Sequence, residues 1–120
     1  MPKSFIEITQ RISSNLKPLR KDQPETMQAF SALAQNATRS GALDKKTKEL
    51  IALALGVAGH CDPCIGFHVE ALVNLNATRL EIEEAIGVAI YMGGGPSLMY
   101  AAEAVAAYDE FLAQKKPASA

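Results

Sequence analysis

The chain has 120 residues, 48% of them apolar, and a formal net charge of -1 from 12 basic and 13 acidic side chains. One domain with a modest core fits that length, and burial of only about two-thirds of the unfolded surface leaves self-association a way to extend it. The near-neutral balance excludes the electrostatic footprint of a nucleic-acid or anionic-membrane binder, and neither a leader-type apolar run nor a span of roughly 20 apolar residues occurs, so a soluble, cytoplasmic protein is expected.

Alanine, leucine, glutamate and lysine are abundant, and no segment sustains the β-branched alternation of a strand, which predicts an all-α fold of about six helices. The first is expected from about Ser4 to Leu16, with Phe5, Ile8, Ile12 and Leu16 at helical spacing and Pro18 as its stop. The second begins at Pro24 and carries Met27, Phe30, Leu33 and Ala34 on one side before Ser40-Gly41. Asp44 is the expected N-cap of a third, which runs through Leu50, Leu53 and Val57 to Gly59. A fourth opens at Asp62-Pro63 and ends near Leu75-Asn76, with Asp62 as N-cap and Cys64 at the second helical position.

Thr78 and Glu81 have the spacing of a capping box and start a fifth helix that ends at Met92 before Gly93-Gly94-Gly95. Pro96 opens a sixth, to about Gln114, whose Ala-rich centre is apolar around so much of its circumference that it must be central in the domain or buried in a subunit contact. The expected core covers about residues 22–114, with a polar tail at 115–120 that frays.

Cys61 and Cys64 are the two cysteines of the chain, three positions apart, with His68 one helical turn further on. In a reducing compartment such a pair reads as a cycling dithiol or a metal site rather than a structural staple. Free amides and the positive end of the helix dipole would favour a thiolate at Cys64, and an imidazole four residues later falls on the same face. A thiolate beside an acid/base group is suited to attack on a peroxide oxygen or a disulfide sulfur. The third helix offers Glu49 as a proton acceptor for His68, although a solvated surface position is an equal reading of its spacing.

The metal alternative needs His60 and His68 with both sulfurs, and His60, adjacent to Cys61, is awkward for tetrahedral closure. His60 lines the mouth of the site or is a loop residue. Gly93-Gly94-Gly95-Pro96 reads as a tight interhelical turn because it lacks the Lys-Ser/Thr of a phosphate loop. Tyr91, Met92, Met99 and Tyr100 read as core or interface residues, the two tyrosines also as pocket candidates.

Taken together, Glu49, then Cys61-Asp62-Pro63-Cys64, then His68 resembles the Glu…Cys-x-x-Cys-x-x-x-His signature of the alkylhydroperoxidase D-like branch of the carboxymuconolactone decarboxylase family. The resemblance is carried by about Asp44 to Val73 and extends through the Gly-Gly-Gly-Pro turn into the Ala-rich helix. It implies an all-helical fold with the cysteines at a pocket mouth, and a homo-oligomer, trimeric or hexameric. By position it makes Cys64 the peroxide-facing cysteine, Cys61 its resolving partner, and Glu49 and His68 a proton relay. The implied substrate is a small hydroperoxide, the reductant a dithiol or protein, and no cofactor or metal is called for. One departure stands out: Pro63 occupies the position where peroxidase members of the branch carry a histidine that contributes to the relay. Two other readings compete, lactone or decarboxylation chemistry that needs no thiol pair, and a non-enzymatic oligomer with incidental thiols.

Overall fold

Six helices build the computed structural model, which describes residues 3–115: α1 (Phe5–Asp22), α2 (Pro24–Thr38), α3 (Lys45–Ala58), α4 (Asp62–Asn74), α5 (Arg79–Gly93) and α6 (Gly95–Lys115). There is no strand among the described residues, and the expected all-α architecture holds. Of the two placements open to the Ala-rich helix, α6 takes the central one, packing against α1, α3, α4 and α5. Ala101, Ala104 and Ala107 recur along its buried face, and their small side chains admit the neighbouring backbones closely.

Local chemistry sets most of the helix ends. Asp44 Oδ1 accepts from the Thr47 amide at 2.8 Å and starts α3. Thr78 and Glu81 form the full capping box of α5. Gly94, at φ 77°, then takes the left-handed turn that a side chain would resist.

α1 departs from expectation at both ends. Ser4 caps it through the Glu7 amide, and Glu110 of α6 reaches across to accept from the Phe5 amide at 2.7 Å and the Ile6 amide at 3.4 Å. Anchored this way, Phe5 is buried in the core, which therefore begins well before residue 22. At the other end Pro18 lies inside the helix, which continues to Asp22 instead of stopping near Leu16. Proline breaks a helix chiefly by orphaning the carbonyl four residues back. Here that residue is Ser14, which is exposed, so water can satisfy the freed group.

α2 forms where expected, yet it buries none of its residues. Its apolar side faces solvent, with Phe30 65% and Leu33 63% exposed. The radius of gyration is 14.8 Å, against about 13.5 Å for a compact chain of this length. Met92 and Met99 are also exposed and do not join the core. At the C-terminus Lys115 closes α6, its ammonium donating to Val73 O and Asn76 Oδ1, and the rest of the expected tail lies outside the described residues.

Candidate active site

The turn between α3 and α4 builds the site. α3 ends in paired Schellman bonds, His60 N–H to Val57 O at 3.2 Å and Cys61 N–H to Gly56 O at 3.0 Å, with His60 in the left-handed conformation at φ 56°. Glycine is the usual residue at that position. Histidine tolerates it better than most, and here its ring stacks on Tyr100 of α6, with centroids 4.7 Å apart and planes 7° from parallel. His60 thus joins the turn to α6. Tyr91, the other tyrosine considered for a pocket, points outward at 84% exposure.

Cys61 follows as the N-cap of α4, its sulfur accepting from the Cys64 amide at 3.2 Å. This corrects the expectation that Asp62 caps the helix. Asp62 is instead the first helical residue, Pro63 the second and Cys64 the third, because a cysteine sulfur can accept the amide hydrogen bond an aspartate would otherwise take. Cys64 still sits in the first turn, where free amides and the helix dipole favour negative charge. The two cysteines are joined in a disulfide, with Cα atoms 5.2 Å apart.

Gly56 lets α3 approach this turn: a Cβ there would lie 3.1 Å from Cys64 Cβ. The approach brings Glu49 of α3 to His68 of α4, Oε1 to Nδ1 at 2.7 Å. Glu49 is buried, so the surface reading of this residue fails. With the carboxylate accepting, Nδ1 carries the proton and Nε2 is left for chemistry.

Two lysines were missed by sequence reasoning. Lys45 Nζ lies 3.4 Å from Glu49 Oε2 and 3.2 Å from Thr38 Oγ1, tying the buried carboxylate to the end of α2. Its i,i+4 spacing to Glu49 was a usable signal. Lys3 Nζ lies 2.9 Å from Asp62 Oδ2, a contact across 59 positions that no local pattern announces. No group of three or more His, Cys, Asp or Glu side chains converges to hold a metal among the described residues. Between α3 and α5 runs an open apolar groove of about 300 Å³, lined by Leu50, Ile51, Ala54, Leu55 and Val88 among others.

Fold and site together define an all-helical protein with a disulfide-bonded cysteine pair at a helix start and a buried carboxylate beside an imidazole on the same two helices. Comparison with known proteins agrees. The profile of the carboxymuconolactone decarboxylase family matches residues 24–107. The uncharacterized protein H16_B0147 of Cupriavidus necator is 41% identical over 98 residues, covering 82% of this chain and 87% of that one. Among solved structures, apo-lpg0406 of Legionella pneumophila, a carboxymuconolactone decarboxylase family protein, superposes with a TM-score of 0.89 at 61% identity, over 90% of this chain and 96% of the other. TM1620 of Thermotoga maritima, a family protein with a suggested involvement in antioxidative response, gives 0.75 at 29% identity, over 94% and 93%. The chain belongs to the carboxymuconolactone decarboxylase family.

Proposed function

We propose that this protein is a thiol-dependent peroxidase or disulfide reductase of the alkylhydroperoxidase D-like branch, cycling between a Cys61/Cys64 dithiol and their disulfide. The observation that carries this reading is the 2.7 Å contact between buried Glu49 and His68, set one helical turn from Cys64. The suggested antioxidative involvement of the Thermotoga relative supports the same chemistry.

In the peroxidase cycle the Cys64 thiol gives its proton to Nε2 of His68, the thiolate attacks the distal oxygen of a small hydroperoxide, the O–O bond breaks, and the alkoxide leaves as alcohol by taking that proton from His68. Cys64 is then a sulfenic acid. The Cys61 thiol displaces its hydroxyl, forming the disulfide and releasing water. An external dithiol returns two electrons and two protons, and its own sulfurs leave as a disulfide. Glu49 fixes the imidazole tautomer throughout, and Lys45 holds the second carboxylate oxygen. Pro63 carries no proton, so the relay here is the Glu49–His68 pair.

Self-association belongs to the same proposal, as a trimer or hexamer. Support comes from Phe30 and Leu33 on α2 and from Ile51, Leu55 and Val88 around the α3/α5 groove, all exposed and apolar. No helix among the described residues is long and apolar enough to cross a membrane.

The test is hydroperoxide consumption with a small dithiol as donor. Cys64→Ser should abolish it, and turnover at the wild-type rate in that variant would overturn the proposal.

A further inference from the structure

Asp62 lies between the two cysteines in sequence and is the first residue of α4, so its carboxylate shares a helix turn with Cys64. A negative charge there opposes a Cys64 thiolate, while the helix N-terminus favours it. Asp62 Oδ2 is 2.9 Å from Lys3 Nζ, whereas Oδ1 is buried with no hydrogen-bond donor among the described residues. The ammonium of Lys3 is thus the charge paired with this carboxylate. Its placement is well supported: the next residues, Ser4 to Ile6, are bound by Glu110 of α6, and Glu103 of α6 lies 3.7 Å from the same ammonium. Hydrogen bonding to Asp62 chiefly, with the charges of Asp62, Glu103 and Tyr100 adding to it, raises the Lys3 pKa against the opposing effect of burial. The cation persists throughout the pH range in which thiols titrate.

We infer that Lys3 is a positioning residue for the redox pair, offsetting the charge of Asp62 at the start of α4 and thereby making the Cys61–Cys64 disulfide easier to reduce. This rests on the reading that the pair cycles. Reduction by glutathione consumes two thiols, breaks the intrachain S–S bond, and yields the protein dithiol and one glutathione disulfide, a two-electron exchange. Where Cys64 ionises, its proton passes to solvent. Whatever stabilises the thiolate therefore stabilises the reduced protein and raises its potential. The other titratable groups around the turn are His60, His68 on α4, Glu49 on α3, and Tyr100 and Glu103 on α6, and none of them is altered in the variants below.

The experiment equilibrates the full chain with glutathione buffers at pH 7 and counts alkylated thiols by intact mass. Lys3→Met should lower the equilibrium constant for reduction about three- to tenfold, about 15–30 mV at 29.6 mV per tenfold change. Lys3→Arg should hold the wild-type value, and Asp62→Asn should shift the constant the other way. An unchanged constant in Lys3→Met overturns the inference, and so does an equal drop in Lys3→Arg, which keeps the charge and would make Lys3 a mechanical tether rather than a counter-charge. The Lys3 side chain is 39% exposed, so its replacement opens no core cavity. No peroxide enters the measurement, so a protein that fails to consume hydroperoxide leaves this inference standing, and the reverse also holds.

Discussion

Gly66 of α4 faces Thr9 of α1 so closely that a Cβ on Gly66 would lie 2.7 Å from Thr9 Cγ2. Thr9 is buried and β-branched, and its hydroxyl already donates to Ile6 O, so it has little room to yield. Gly66→Ala gains about 1 kcal/mol of helix propensity. Overpacking costs about 1–3 kcal/mol, and because Thr9 cannot yield, the upper part of that range applies, so a net loss of up to about 2 kcal/mol is expected in urea denaturation. Adding Thr9→Ser, which removes the offending methyl, should recover most of it. A variant as stable as wild type would mean that α1 and α4 are loosely seated.

Glu49→Gln replaces the buried acceptor facing His68 with a group of the same shape. If the pair moves protons, hydroperoxide turnover should fall about 100-fold, the lower end of the range for acid–base groups. The intact-mass gain on alkylating the reduced protein should stay the same. Lys45→Met should cost less, and Lys45→Arg should restore it, because the cation contacts the carboxylate rather than the reacting atoms. Full turnover in Glu49→Gln would exclude the relay.

Acid should loosen the starts of α3 and α5. The Asp44 carboxyl is held below its ordinary pKa, chiefly by hydrogen bonding to Thr47, and the Glu81 carboxyl by its hydrogen bond to Lys46 and then by the Thr78 amide. A carboxylate depressed in the folded state stabilises fully above its unfolded pKa, about 4, and loses that contribution as pH falls through the folded value. Urea midpoints should therefore decline from about pH 4 downward. Asp44→Asn should flatten part of that decline while retaining an N-cap acceptor. Parallel acid limbs in the two proteins would remove Asp44 from the account.

Leu33→Asp with Phe30→Asp places two charges on the exposed side of α2. Neither residue is buried in the single chain, so the helical circular dichroism should be retained. The mass from light scattering should drop toward 12.8 kDa, the mass of one chain. An unchanged assembly would locate the subunit contact elsewhere.

Features read correctly from sequence are those settled within one helical turn. Asp44 and the Thr78/Glu81 box work through amides three residues away, and a short pattern contains all the partners. Pro18 misled because its effect depends on whether the Ser14 carbonyl can reach water, which is a property of the surface. The cap of α4 was misassigned to Asp62 for a different reason: the Cys61 sulfur also works through an amide three residues away, but aspartate is the commoner cap and cysteine is a rare one. The Glu49–His68 contact was suggested by resemblance, and spacing could not supply it because it depends on how closely Gly56 lets two helices meet. Lys3 reaches Asp62 across 59 positions and Glu110 reaches Phe5 across 105, beyond the reach of any periodicity. The apolar side of α2 was legible as a pattern, while its exposure was not.

Cys61 serves two helices at once: its amide hydrogen bond helps to end α3, and its sulfur accepts the first capping bond of α4. The disulfide and the helix junction therefore share an atom, and a change in the oxidation state of that sulfur changes the capping acceptor of α4. Backbone dynamics becomes a readout of electron count. Amide hydrogen exchange at Cys64 should differ between the oxidised and reduced protein with no substrate present, so the chain carries its own reporter of redox state in its peptide groups.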